Sequence, residues 1–201
     1  MGSTRYSEAN ARLDERGRQL SRSANAGPQI AAIRSDLTSE AKSMNERLIR
    51  HEGAHQLFRA CHIHSRLGVE PTWLTEGLAE YCETGEIGRF HYALADRITA
   101  AREKRQFVPL KTLLNHRDPS GFFALSHENL EIAYAESWAL VSMLMQADTH
   151  EQFFGYLKFY RDLTDDRAAA VEADPAGVLE THLKMDSDTL EHKWNSFISH
   201  M

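Results

Sequence analysis

The stretch Leu48-Ile49-Arg50-His51-Glu52-Gly53-Ala54-His55-Gln56-Leu57-Phe58 carries H-E-x-x-H inside a helical pattern. His51 and His55 serve one ion together only if this stretch is a helix, because four residues then bring both imidazoles to one face, a turn apart. The spacing suits two ligands of a tetrahedral zinc. Glu52 sits about 100° further round the same helix. From there it reaches a water beside the metal without coordinating the metal, as a general base must. Met44, Leu48 and Phe58 extend the histidine face, so the pattern turns the histidines toward the core side of their helix.

A second stretch completes the pattern. Pro71-Thr72-Trp73-Leu74-Thr75-Glu76-Gly77-Leu78-Ala79-Glu80-Tyr81 reads as a helix, with Pro71 before its start and Thr72 as the expected cap. Glu76 and Glu80 are four apart on a half-apolar face, where paired carboxylates are costly unless something positive lies between them. A zinc and its histidines would supply that charge. Glu76 can be the third ligand. Glu80 can accept the free ring N–H of a ligating histidine, His51 by preference, and so fix its tautomer.

With these residues in hand, the chain resembles the gluzincin metallopeptidases, the thermolysin-like and aminopeptidase-like zinc enzymes. Twenty residues separate His55 from Glu76, followed by an acid four later. The wording of the two stretches, with Tyr134-Ala135-Glu136-Ser137-Trp138-Ala139-Leu140-Val141, is similar to a bacterial family of uncharacterised gluzincin-like domains in the peptidase MA grouping. The resemblance runs from about Leu48 to the C-terminus. It implies zinc on His51, His55 and Glu76, Glu52 as general base, a peptide or protein substrate, and Tyr134 as the group that holds the developing oxyanion. His127 competes with Tyr134 for that role. The resemblance also implies a β-sheet ahead of the H-E-x-x-H helix, whose edge strand pairs with substrate backbone. The fifty residues before His51 hold no convincing strand, so either the chain is a fragment of a longer protein or its cleft is built differently.

Composition sets wider limits. The 201 residues carry 29 acidic and 23 basic side chains, a net charge of −6, and no basic patch with interleaved aromatics, which argues against a nucleic-acid surface. No run approaches eighteen apolar residues, so no membrane span is expected. The N-terminus has no apolar segment of the signal-peptide kind, which makes the cytoplasm the default for a full-length chain. Cys61 and Cys82 are read as two reduced, half-buried thiols rather than a disulfide framework.

Taken in order, residues 5–24 alternate in charge and read as a solvated helix or arm, so that residues 1–38 form a polar N-terminal arm and 39–201 the metallopeptidase domain. A short helix is expected from Pro28 to Asp36 and the active-site helix from Ser39 to Cys61. Further helices follow at 89–105, from Pro109 to Leu114, from Asn129 to Gln146, after a capping box at Thr149-x-x-Gln152, and around Leu190, Trp194 and Phe197. Almost nothing alternates like a strand. The fold class expected is mainly α, a zincin-like helical domain with at most a short β-hairpin or small sheet.

Two functions remain open at this level. One is a zinc-dependent peptidase. The other is a catalytically inactive, zinc-stabilised binding or scaffolding domain derived from a gluzincin. Glu52 separates them, since a structural zinc needs no acid beside its first histidine. Cys61, His62 and His64 form a second possible metal cluster, one partner short of a closed site. Glu136 and Ser137 have no role that spacing alone assigns.

Overall fold

A computed structural model describes residues 26–116 and 127–201. The N-terminal arm up to residue 25 and the loop 117–126 lie outside the described residues. The chain divides into two compact units, Met1–Ile49 and Arg50–Met201, and the second contains every candidate residue from His51 onward.

Among the described residues the secondary structure is helical, with no strand. The helices are α1 (Ala26–Ala60), α2 (Thr72–Cys82), α3 (Tyr92–Lys104), α4 (Leu110–Asn115), α5 (His127–Leu144), α6 (His150–Arg161), α7 (Asp165–Ala173), α8 (Pro175–Leu183) and α9 (Ser187–Ser199). The mainly α expectation holds. No hairpin is present among the described residues.

Several local expectations change. The two helices expected before Cys61 are one unbroken helix, α1. No Pro or Gly interrupts residues 29–52, and Thr38 stays helical by turning its hydroxyl back to the Arg34 carbonyl at 2.8 Å. Leu48 is 50 % exposed, so the apolar face does not extend that far back; Ala54 is the first residue of α1 to be buried. Thr72 does not cap α2. It is the first residue of the helix, Pro71 is the N-cap, and the Thr72 N–H is satisfied by the His116 carbonyl at 2.8 Å. Thr149 is the N-cap of α6, as its position in the capping box expects, but its side chain makes no capping bond: its hydroxyl donates backward to the Met143 carbonyl at 3.1 Å.

The core of the second unit is built on α2 and α5, its most extensively packed pair. Trp73, Leu74 and Leu78 on one meet Trp138, Leu140 and Val141 on the other, all buried. Gly77 permits this closeness. A Cβ there would stand 2.5 Å from the Ser137 carbonyl oxygen and 2.9 Å from a Val141 methyl. Gly77→Ala must therefore push the helices apart. The expected cost is about 1–3 kcal/mol, measured by denaturant unfolding. Gly53→Ala, where an added Cβ meets nothing within 4 Å, should instead be neutral or stabilise by up to about 1 kcal/mol.

Glu136 lies on α5, within the same packing. It is fully buried and accepts the Val108 N–H at 2.8 Å, while its second oxygen has no partner. Burial pushes its carboxyl up to about 8, against the lowering effect of the Val108 bond. The folded state thus favours the neutral form. This stabilisation is complete below the ordinary value of 4.5 and is lost as pH rises through about 8. Glu136→Gln should flatten the fall in stability between pH 5 and 8 relative to wild type, by on the order of 3 kcal/mol. Chemical denaturation at several pH values reads the difference. An unchanged slope would remove Glu136 from the titration. Ser137 is spent on its own helix, donating to the Ala133 carbonyl at 2.7 Å.

Candidate metal centre

The last three turns of α1 and the length of α2 build the site. Helical spacing puts His51 and His55 a turn apart, and the two rings meet edge to face with centroids 4.8 Å apart. Their Nε2 atoms are 3.2 Å apart. Glu76 projects from α2 so that its Oε2 lies 3.3 Å from His51 Nε2 and 3.6 Å from His55 Nε2. All three side chains are largely buried yet not sealed, with 12 to 20 % of their surface exposed.

The three residues could hold one metal ion between them. A tetrahedral zinc with bonds of about 2.0–2.1 Å needs ligand atoms about 3.3 Å apart. A triangle with sides of 3.2, 3.3 and 3.6 Å matches one face of that tetrahedron. The donor set, two imidazoles and one carboxylate, is also the chemistry zinc accepts.

The electrostatics point the same way. Burial alone would lower the His51 pKa, but hydrogen bonds to Glu76 and Glu83 and the charge of Glu80 outweigh it and hold it at about 10. Burial would raise Glu76, but the two histidines bring its carboxyl down to about 2. The pocket is arranged to surround a positive charge.

The outer partner of His51 differs from the residue the spacing favoured. Glu80 Oε1 is 3.8 Å from His51 Nδ1, beyond hydrogen-bonding reach. Glu83 Oε1 is 3.1 Å from the same atom. Glu83 sits at the C-cap of α2, and Arg50 donates to its carbonyl at 3.2 Å. Burial and the adjacent Glu83 raise the Glu80 carboxyl well above its ordinary range. Glu83 is held down, against burial, by His51 and His91. The signal for Glu83 was in the sequence: 76, 80 and 83 are i, i+4 and i+7 on one helical face.

Glu52 is exposed on α1, outside the triangle of ligand atoms. Tyr134, on α5, faces the site. Its ring lies 6.5 Å from that of His51, edge to face. Burial, then the charges of Glu76, Glu80 and Glu52, keep its phenol protonated well above its ordinary range. The hydroxyl therefore keeps its proton beside the carboxylates of the site. His127 opens α5, but its side chain lies outside the described residues.

The Cys61, His62, His64 cluster does not assemble. His62 takes a left-handed φ of 56° that ends α1, with the Ile63 N–H returning to the Phe58 carbonyl at 2.8 Å. The turn leaves Cys61 and His62 exposed and sends His64 inward. His64 stacks near His55, with centroids 6.3 Å apart, and burial followed by the charges of His55 and Arg59 lowers its pKa to about 4. Both cysteines are free, with Cys61 exposed and Cys82 half-buried.

No helix among the described residues is long and apolar enough to cross a membrane. No curated protein and no solved structure matches the chain. One family model does, described as a protein of unknown function, DUF1570, and it matches residues 46–164. That span takes in all three motifs, from the histidine turn of α1 to the end of α6. With more than half of its length matched, this chain belongs to the DUF1570 family.

Proposed function

We propose that this protein is a zinc-dependent hydrolase of the gluzincin kind, and that its substrate is a peptide bond. The observation that carries the reading is the triangle of His51 Nε2, His55 Nε2 and Glu76 Oε2, with Glu52 exposed on the same helix as the two histidines. Those three residues would hold the zinc. Bound there, zinc would supply Lewis acidity, polarising a carbonyl and lowering the pKa of a water to about 7.

The chain's own groups do the rest. Glu52 accepts the proton of the attacking water and returns it to the leaving amine. Tyr134, kept protonated by its surroundings, donates to the oxygen on which negative charge develops. Glu83 holds His51 in place.

One observation favours a second reading. Among the described residues no strand offers its backbone edge to an extended substrate, and edge pairing is how such peptidases align a peptide. The second reading is a zinc-stabilised binding or scaffolding domain. Protein purified without added metal, assayed for zinc and then screened on a broad peptide library in zinc-replete buffer, tests both. About one equivalent of zinc with Glu52-dependent cleavage supports the peptidase. Zinc without cleavage supports the scaffold. A chain without zinc overturns both.

A further inference from the structure

His91 belongs to none of the sequence motifs, yet the structure ties it to the metal centre. It is buried, 6 % exposed, and it is the N-cap of α3. Its Nδ1 accepts the Leu94 N–H at 3.4 Å. A neutral imidazole that accepts at one nitrogen carries its proton on the other. Nε2–H therefore lies in the interior without a hydrogen-bond partner, and Glu83 Oε2 is 3.5 Å from it. The other oxygen of Glu83 lies 3.1 Å from His51 Nδ1.

We propose that His91 and Glu83 are positioning residues for His51, a chain that runs from the N-terminus of α3 to the metal. The α3 backbone sets the His91 tautomer. His91 fixes one oxygen of Glu83, which leaves the other to accept the His51 Nδ1–H. A ring protonated at Nδ1 offers its lone pair at Nε2, the atom that meets His55 Nε2 and Glu76 Oε2. Glu80 Oε1, 3.8 Å from His51 Nδ1, is beyond hydrogen-bonding reach of the ring. The inference rests on the zinc reading above, and its test separates the two.

Four proteins decide it: wild type, Glu83→Ala, Glu80→Gln and His91→Asn. Asparagine is a good N-cap, so His91→Asn keeps the start of α3 but is too short to reach Glu83. Zinc affinity is measured by competition with a chromophoric chelator. Glu83→Ala, which leaves no acceptor for the ring proton, should bind zinc about 10–100-fold more weakly, and His91→Asn about tenfold more weakly. Glu80→Gln should bind like wild type, since Glu80 lies beyond hydrogen-bonding reach of His51. The same proteins without metal are examined by long-range proton–nitrogen NMR of the histidine rings. A solvent-protected Nδ1–H of His51 is expected in wild type and Glu80→Gln, and its loss in Glu83→Ala. This second readout needs no zinc, so a wild type that binds none defeats the zinc reading while the NMR still judges the positioning chain. The inference is overturned if Glu80→Gln weakens zinc while Glu83→Ala does not, or if the protected His51 proton survives in Glu83→Ala. It is also overturned if wild type takes up a second zinc equivalent that Glu83→Ala loses, because Glu83 would then be a ligand.

Discussion

Glu52→Gln is expected to retain zinc and the fold while hydrolysis falls by at least about 10²-fold, the lower end for a lost general base. Glutamine matches glutamate in size and shape but cannot take the attacking water's proton. Two features make the substitution clean. Glu52 is exposed on α1, so the change opens no cavity. It is also outside the ligand triangle, whose edges are made by His51, His55 and Glu76 alone. The carboxylate nonetheless shares the space of the site, since its charge reaches the Tyr134 phenol. A cleavage assay on wild type and variant, with zinc content and thermal melting measured on the same samples, gives the answer. Equal cleavage rates at equal zinc content would defeat the general-base role, whatever the metal does.

The second large effect is on the metal itself. His51→Ala and Glu76→Ala each remove one corner of the triangle and should abolish stoichiometric zinc. Loss of the ion then shows in stability. A ligand that binds only the native state stabilises it by about 4 kcal/mol when present at about a thousand times its dissociation constant. For a chain of this size that corresponds to a rise in melting temperature of about 8–16 °C. Wild type should therefore melt markedly higher with zinc than after chelation, and the two variants should melt alike in both conditions. A zinc-dependent shift that persists in both variants would show that the ion sits elsewhere.

How far the sequence reached can be judged residue by residue. Its spacings determined what the α-helix itself enforces. A helix repeats every 3.6 residues, so His51 and His55 had to share a face, as did Glu76 and Glu80. Helical periodicity without alternation likewise determined a mainly α chain. Local spacing could not determine which side-chain atoms meet between helices. Only the packing of α1 against α2 brought Glu76 Oε2 to within 3.6 Å of both ring nitrogens. The same packing gave His51 Nδ1 to Glu83 rather than Glu80. That choice turns on a difference of 0.7 Å between two carboxylates one turn apart, and hydrogen bonding is lost over such a distance. His91 was invisible for the same reason. It lies 40 residues from His51, and nothing local marks a helix cap as the partner of a distant carboxylate. Its place is set by the packing of α3 against α5, with the Trp138 ring 6.0 Å from its own. Residue type and period set which groups were available; burial, which removes water as a competing partner, decided which of them pair.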